Sequence, residues 1–475
     1  MLFTSLEFLF VFFPITLGVN FLLPKKARNY WLLIASLFFY AWGEPSFLVV
    51  MLISILFNYA MALLISRIQG RIKLRKIFLT ITVFGNVGVL FVYKYMNFVT
   101  ATLHQMIPKT QELFGVTQFV LPIGISFFTF QAMSYVIDVY RGVPVQKNPA
   151  YLGLYISLFP QLIAGPIVRY TTVAEEIHCR KVTIERFCEG MFRFVKGFNK
   201  KVLLANLLAQ VADVAFGTEE LTIAFAWLGA ICYALQIFFD FSGYSEMAIG
   251  LGLMLGFTFL ENFDYPYISK TITEFWRRWH ISLGAWFRDY LYFPLGGSRV
   301  KSKLRLVFNL AIVWLATGIW HGASWNFILW GTLYGVIIIA EKLMLIPQIV
   351  EKNHVFRIFY QLFTMSMVLF GWVLFRASNL SNALKYLKAM FGIEAAKVTN
   401  PTALFYLKEY FIILIVGIAC STPLFHIIER HITGKIKCGK ALCHVFFYAL
   451  QAILFIVSVS FIIMNAHNPF IYFNF

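Results

Sequence analysis

Two histidines stand beside tryptophans in a chain that is otherwise strongly apolar. Trp279-His280 lies in FWRRWHISLGAWFRDYLYFPLGGSR (275–299), and Trp320-His321 in TGIWHGASWNFILWG (317–331). An ionisable side chain in a membrane-like run is a functional-site candidate by default. A Trp-His pair can equally anchor a helix end at the membrane interface. Gly318, Gly322 and Ala323 flank His321 and remove bulk where a substrate could approach. The chemistry that suits an imidazole here is general base catalysis. Its unperturbed pKa of about 6.5 lets it take a proton from an attacking hydroxyl near neutral pH. An acyl thioester and a hydroxyl could meet at such a site from opposite sides of a membrane. His280 could then position the carbonyl or donate to the developing oxyanion. A two-histidine metal site lacks a third ligand and H-E-x-x-H is absent. The spacing of Cys438, Cys443 and His444 matches no zinc pattern. Without a G-x-S-x-G elbow, a P-loop or G-x-G-x-x-G, serine hydrolase, ATPase and dehydrogenase chemistries have no local support.

These histidines need elements to hold them, and composition says what kind. The 475 residues are 60% hydrophobic, 18% aromatic and 13% charged, with a mean hydropathy of +0.74. A soluble fold cannot hide that much apolar surface. The apolar runs are continuous and about 20 residues long, the length of a membrane-spanning helix rather than a barrel strand. The net charge of +18 comes from Lys and Arg clustered between apolar runs, which marks cytoplasmic loops facing anionic headgroups rather than a nucleic-acid surface. The six cysteines show no paired framework and read as reduced thiols.

Apolar segments fall near 2–23, 30–43, 46–66, 77–98 and 119–138, then 187–212 and 222–260, and finally 304–320, 324–341, 357–375, 410–428 and 444–465. The expectation is one all-α polytopic domain over 1–475, with roughly eleven spans and a re-entrant piece at 151–166. The first run has no basic n-region or A-x-A site and meets Lys25, Lys26 and Arg28, so it reads as a first span with its N-terminus outside. Basic segments 24–28, 67–76, 261–305 and 430–440 then face inside, and both termini face outside.

Three segments break the apolar pattern. Segment 261–303 is aromatic and charged, too polar to span. Phe275, Trp279, Leu283, Trp286 and Phe287 recur at helical spacing, with Glu274, Arg277, Arg278 and Arg288 on other faces. This predicts amphipathic helices at or dipping into the interface, capped by Thr271 or Thr273. ALQIFFDFSGYSEMAIGLGLMLGF (234–257) is a polar island read as an interhelical hydrogen-bond cluster, with the lining of a polar tunnel as the alternative. Gly165-Pro166 in LFPQLIAGPIVRY (158–170), with Arg169 beyond, predicts a re-entrant turn.

Together these stretches resemble the membrane-bound O-acyltransferases (MBOAT), in particular their bacterial alginate O-acetyltransferase branch. The resemblance is carried by SLFFYAWGEP (36–45), LPIGISFFTFQAMSYVIDVYRG (121–142), FPQLIAGPIVRY (159–170), YALQIFFDFSGYSEMAIGLGLMLGF (233–257), the two Trp-His segments and the ending NPFIYFNF (468–475). It implies a ring of helices around a central funnel, with His321 as the essential histidine and His280 at the second signature position. Many lipid- and protein-acylating relatives carry Asn or Asp there, so histidine at 280 favours polysaccharide acylation. Trp279, Arg277, Asp240, Asp289, Asn309 and Trp320 are expected around that pair. The resemblance further implies a cytoplasmic thioester donor, acetyl-CoA, with no bound cofactor or metal. The acceptor is an exported polysaccharide, reached directly or through an extracytoplasmic SGNH-type acetyltransferase, from a bacterial cytoplasmic membrane. Two competitors remain: D-alanyl transfer to teichoic acid from a charged carrier protein, and a polymer transporter or channel. The latter would need pore-lining charges in several spans.

Overall fold

The computed structural model describes residues 1–68, 70–107, 118–393, 397–435, 439–464 and 469. Cys438 and the NPFIYFNF ending, apart from Pro469, lie outside them, as do the side chains of Cys443 and His444. Every regular segment among the described residues is helical. Eight helices are long and apolar enough to cross a bilayer, and Phe8–Leu22 is a shorter apolar helix. Local signals set where several begin. Asn148 and Asn400, each followed by proline, cap their helices by accepting from Ala150 N and Ala403 N. A side-chain acceptor before a proline at the first helical position supplies the cap and the fixed φ at once.

The chain divides into two compact units, residues 1–191 with 248–260, and residues 192–247 with 261–475. In the first, Ile125–Tyr140 is buried along nearly its whole length, packed on Leu48–Arg67 and Ile72–Leu90. The expected re-entrant piece is two short helices, Pro149–Ser157 and Phe159–Leu162, all buried beyond their first residues. Phe159 closes an aromatic cluster with Phe8, Phe12 and Phe39. A Cβ at Gly165 would lie 2.5 Å from Gln161 Cα, so only glycine lets the chain fold back there.

In the second unit the polar island sits on the helix Ile223–Leu255, about 50 Å long and mostly buried. Asp240 pairs with Lys201 at 2.7 Å, both fully buried. Glu246 meets Arg193 at 2.8 Å and Lys196 at 2.7 Å. A Cβ at Gly243 would approach Gly197 O at 2.8 Å, so two backbones run in direct contact beside the charges. The island is the interhelical cluster of the two readings.

Segment 261–303 is helical with one buried apolar face, as expected, and that face turns to protein. It holds two short helices, Ile272–Arg278 and Ile281–Phe287, and a π-turn at Arg288–Tyr292. Phe275, Trp279, Leu283, Trp286 and Phe287 are all buried, against protein rather than along an interface. Trp276 packs on Trp314, Trp330 and Tyr334, and Trp279 on Trp372. Periodicity alone could not reveal the break, because the apolar spacing continues across it.

Candidate active site

His321 is the last residue of the helix Lys303–His321; at Gly322 the backbone turns extended, and Trp325–Leu343 follows. These two helices touch backbone to backbone. A Cβ at Gly318 would lie 2.5 Å from Phe327 O, and one at Gly331 would lie 2.6 Å from Trp314 O. A Cβ at Gly322 would run into the Phe327 ring. Gly318 and Gly322 therefore serve close helix packing, not substrate access; protein fills the space they free. The packing aims the imidazole into an aromatic box. Its centroid lies 4.8 Å from Trp330, 5.0 Å from Trp320 and 5.3 Å from Phe375, each edge-on. With 4% of its surface exposed, His321 works in a water-poor setting where electrostatic interactions are strengthened.

His280 stands at the break between the two short helices with φ +48° and ψ 53°. That left-handed conformation costs a non-glycine residue roughly 1–2 kcal/mol. Asn262 holds it there. Ile281 N donates to Asn262 O at 3.0 Å. Asn262 Oδ1 accepts from Ser282 N at 3.2 Å and Ser282 Oγ at 2.9 Å, and stands 3.1 Å from His280 Nδ1. Asn262 Nδ2 reaches Ser245 Oγ at 3.2 Å. The ring lies edge-on to Phe241 at 4.6 Å, and burial pushes its pKa down to about 3, so the imidazole is neutral. Its Nε2 is buried and meets no protein hydrogen-bond partner among the described residues. Trp320 joins the two histidines, its indole lying 6.2 Å from His280 and 5.0 Å from His321.

The His280 segment is clamped from below. Thr271 caps Ile272–Arg278 by accepting from Glu274 N at 3.1 Å, and Glu274 accepts from Lys270 N at 3.0 Å. This is a near-relative of the reciprocal capping box. Glu341, fully buried on Trp325–Leu343, accepts from Ile272 N and Thr273 N, both at 2.8 Å, and from Tyr360 OH at 3.1 Å. Thr364 and Gln361 of His354–Arg376 bond Lys270 O and Ile268 O.

The other expected residues separate by position. Trp279 and Trp320 are buried beside the histidines. Asp240 is held by Lys201 one residue from Phe241. Asp289 pairs with Arg288, and Arg277 is exposed. Asn309 is fully buried but lies twelve residues before His321, about 18 Å along the helix, where its Nδ2 donates to Gly297 O at 3.1 Å. Sequence reasoning placed Ser245 in the polar island but missed Asn262, Ser282, Lys201 and Glu341. A carboxylate in the apolar run GVIIIAEKL was a usable signal for Glu341. Nothing periodic marks Asn262.

Comparison with known proteins identifies the family. Residues 34–384 match the MBOAT, membrane-bound O-acyltransferase family. The chain is 39% identical to the probable alginate O-acetylase AlgI of Pseudomonas putida, with both chains covered end to end. It is 32% identical to the peptidoglycan O-acetyltransferase of Helicobacter pylori, covering all of this chain and 98% of that one. The teichoic acid D-alanyltransferase of Streptococcus thermophilus is 28% identical over 51% of this chain and 62% of its own. With its apolar helices and buried histidine pair, the chain belongs to the membrane-bound O-acyltransferase family and is a multi-pass membrane acyltransferase.

Proposed function

We propose that this enzyme moves an acetyl group from cytoplasmic acetyl-CoA to hydroxyls of an exported polysaccharide, or to a relay partner outside, with His321 as general base. The observation that carries the residue roles is that both histidines are buried against one indole, that of Trp320. The acceptor oxygen attacks the thioester carbonyl while His321 takes its proton. The tetrahedral intermediate collapses with cleavage of the C–S bond, and the proton passes to the departing thiolate. His280, neutral and donating from Nδ1, offers a lone pair at Nε2. In this reading it orients the acceptor through a neighbouring hydroxyl, since the one proton of the attacking hydroxyl goes to His321; the sequence offered instead a role in positioning the carbonyl or donating to the oxyanion. Trp279 and Trp320 wall the pair from water, and Asp240 acts through the packing around Phe241. Arg277, Asp289 and Asn309 support the segment that carries His280.

Acetyl rather than D-alanyl transfer is supported by the end-to-end similarity to O-acetylating relatives, set against half-length similarity to the D-alanyltransferase. The basic cluster Lys25, Lys26, Arg28 after the first apolar run supports termini facing outside a bacterial cytoplasmic membrane. The partner outside is an SGNH-type acetyltransferase in this reading. Purified His321→Ala protein, supplied with labelled acetyl-CoA and a polysaccharide acceptor, is expected to lose roughly 100- to 10,000-fold in rate, the span of general-base contributions. A near wild-type rate overturns the assignment of His321. Label taken only from a charged carrier protein overturns the donor.

A further inference from the structure

We infer that Asn262 is a positioning residue of the transfer reaction: its amide oxygen fixes His280 as the Nδ1–H tautomer, so that Nε2 is the atom presented to a hydroxyl of the acceptor beside the attacking one. This rests on the reading above that His280 works at the site.

The backbone N–H of Ser282 points at Asn262 Oδ1 at 3.2 Å, and a backbone N–H can only donate. The side-chain atom it meets is therefore the oxygen, because a flipped amide would set NH2 against N–H. The opposite amide atom, Nδ2, then donates to Ser245 Oγ at 3.2 Å, which completes a consistent orientation. With Oδ1 fixed as acceptor, His280 Nδ1 at 3.1 Å must carry the hydrogen. A neutral imidazole has one N–H, so Nε2 holds a lone pair.

Neither group can turn away to relieve this arrangement. Asn262 is 1% exposed, and its own carbonyl accepts from Ile281 N. A β-bridge pairs Phe263 with Trp279, and Asp264 N donates to Arg278 O at 2.9 Å. The extended segment 262–264 is thus tied by backbone bonds on both sides of His280. The left-handed φ of His280 is the conformation these ties impose, and local strain of this kind persists only where the surroundings over-determine it. A lone pair at a fixed point selects a hydrogen-bond donor. The group recognised at Nε2 is a hydroxyl, whereas a thioester carbonyl offers no hydrogen to it.

The tautomer can be read directly. In protein labelled with 15N-histidine, the His280 resonances, assigned by their loss in His280→Asn, are expected to show Nδ1 protonated and Nε2 bare. A protonated Nε2 overturns the inference whatever the activity data show. Catalysis supplies a second readout. Asn262→Ala is expected to lower kcat about 10- to 100-fold, the range typical of partners that fix a histidine's orientation, with KM for acetyl-CoA unchanged. In a His280→Ala background the same substitution should cost nothing more, since it acts through that ring. Multiplying effects indicate a merely structural role and overturn the inference. Asn262→Asp keeps an acceptor at the Oδ1 position and is expected to recover at least tenfold over Asn262→Ala; equal damage in both also overturns it. If His280→Ala alone leaves the rate intact, the reading of His280 fails, and the tautomer measurement still decides the role of Asn262.

Discussion

At the scale of single residues, the two histidines differ in how they are held. His321 ends a helix and is boxed by the edges of Trp320, Trp330 and Phe375, while His280 has Asn262 Oδ1 at one ring nitrogen. Burial lowers the pKa of His280 to about 3, which carries a sign for stability. Between pH 6.5 and 3 the unfolded chain binds a proton that the folded chain refuses. Stability is therefore unaffected above pH 6.5 and falls as pH drops below it, by up to about 1.4 kcal/mol per pH unit. Thermal unfolding at pH 7 and pH 5 should show a larger drop for wild type than for His280→Asn; equal drops contradict the burial. The Asp240–Lys201 pair makes a second prediction. Asp240→Asn removes the counter-charge of the buried Lys201 ammonium, which keeps its bond to Pro469 O, and should cost about 3–5 kcal/mol, seen as a lower Tm. Replacing Asp240 and Lys201 together by leucine and methionine should restore most of it. The Trp-His pairs were legible as chemistry, because a histidine in an apolar run is conspicuous. Asn262 was not: an asparagine after an apolar run reads as an ordinary turn residue, and only the fold brings it to His280.

At the scale of elements, the segment 261–303 is amphipathic as expected: Phe275, Trp279, Leu283, Trp286 and Phe287 are buried while Arg277 and Arg288 are exposed. Its apolar spacing was legible, but spacing cannot distinguish a face against lipid from one against tryptophans. The glycines near His321 were legible as glycines and misread in purpose, since room beside a histidine and room for a crossing helix look alike in one dimension. Gly318→Val should separate the Lys303–His321 and Trp325–Leu343 helices, because its Cβ meets carbonyl and backbone atoms that cannot yield. The expected outcome is lower activity and a lower Tm together, whereas a rise in KM alone would indicate a substrate passage there. Glu341→Ala removes the acceptor of two backbone N–H groups and two hydroxyls. Each charge-assisted bond is worth about 1.5–3 kcal/mol, so activity should fall with stability, while Glu341→Gln retains part of both.

At the scale of the whole molecule, roughly eleven spans were expected, and eight helices among the described residues meet length and composition alone. The difference has a physical source. Lys25–Gly43 begins inside a basic cluster, and Ile125–Tyr140 is 16 residues long and wrapped by protein. A helix shielded by its neighbours need be neither long nor uniformly apolar, so a hydropathy window undercounts the interior of a large bundle. Charge order carries the proposed orientation. A tag on Met1 should be reached by a membrane-impermeant reagent in intact spheroplasts, and labelling only after lysis would invert the proposed orientation. The Glu341 clamp adds a constraint in time. Ile272, which it holds, precedes it by 69 residues, roughly 3–14 s of synthesis at 5–20 residues per second. For that interval the first histidine segment is in the membrane without the carboxylate that docks it, and His321 is still arriving. The two histidines can therefore come together against Trp320 only late in the synthesis of the chain.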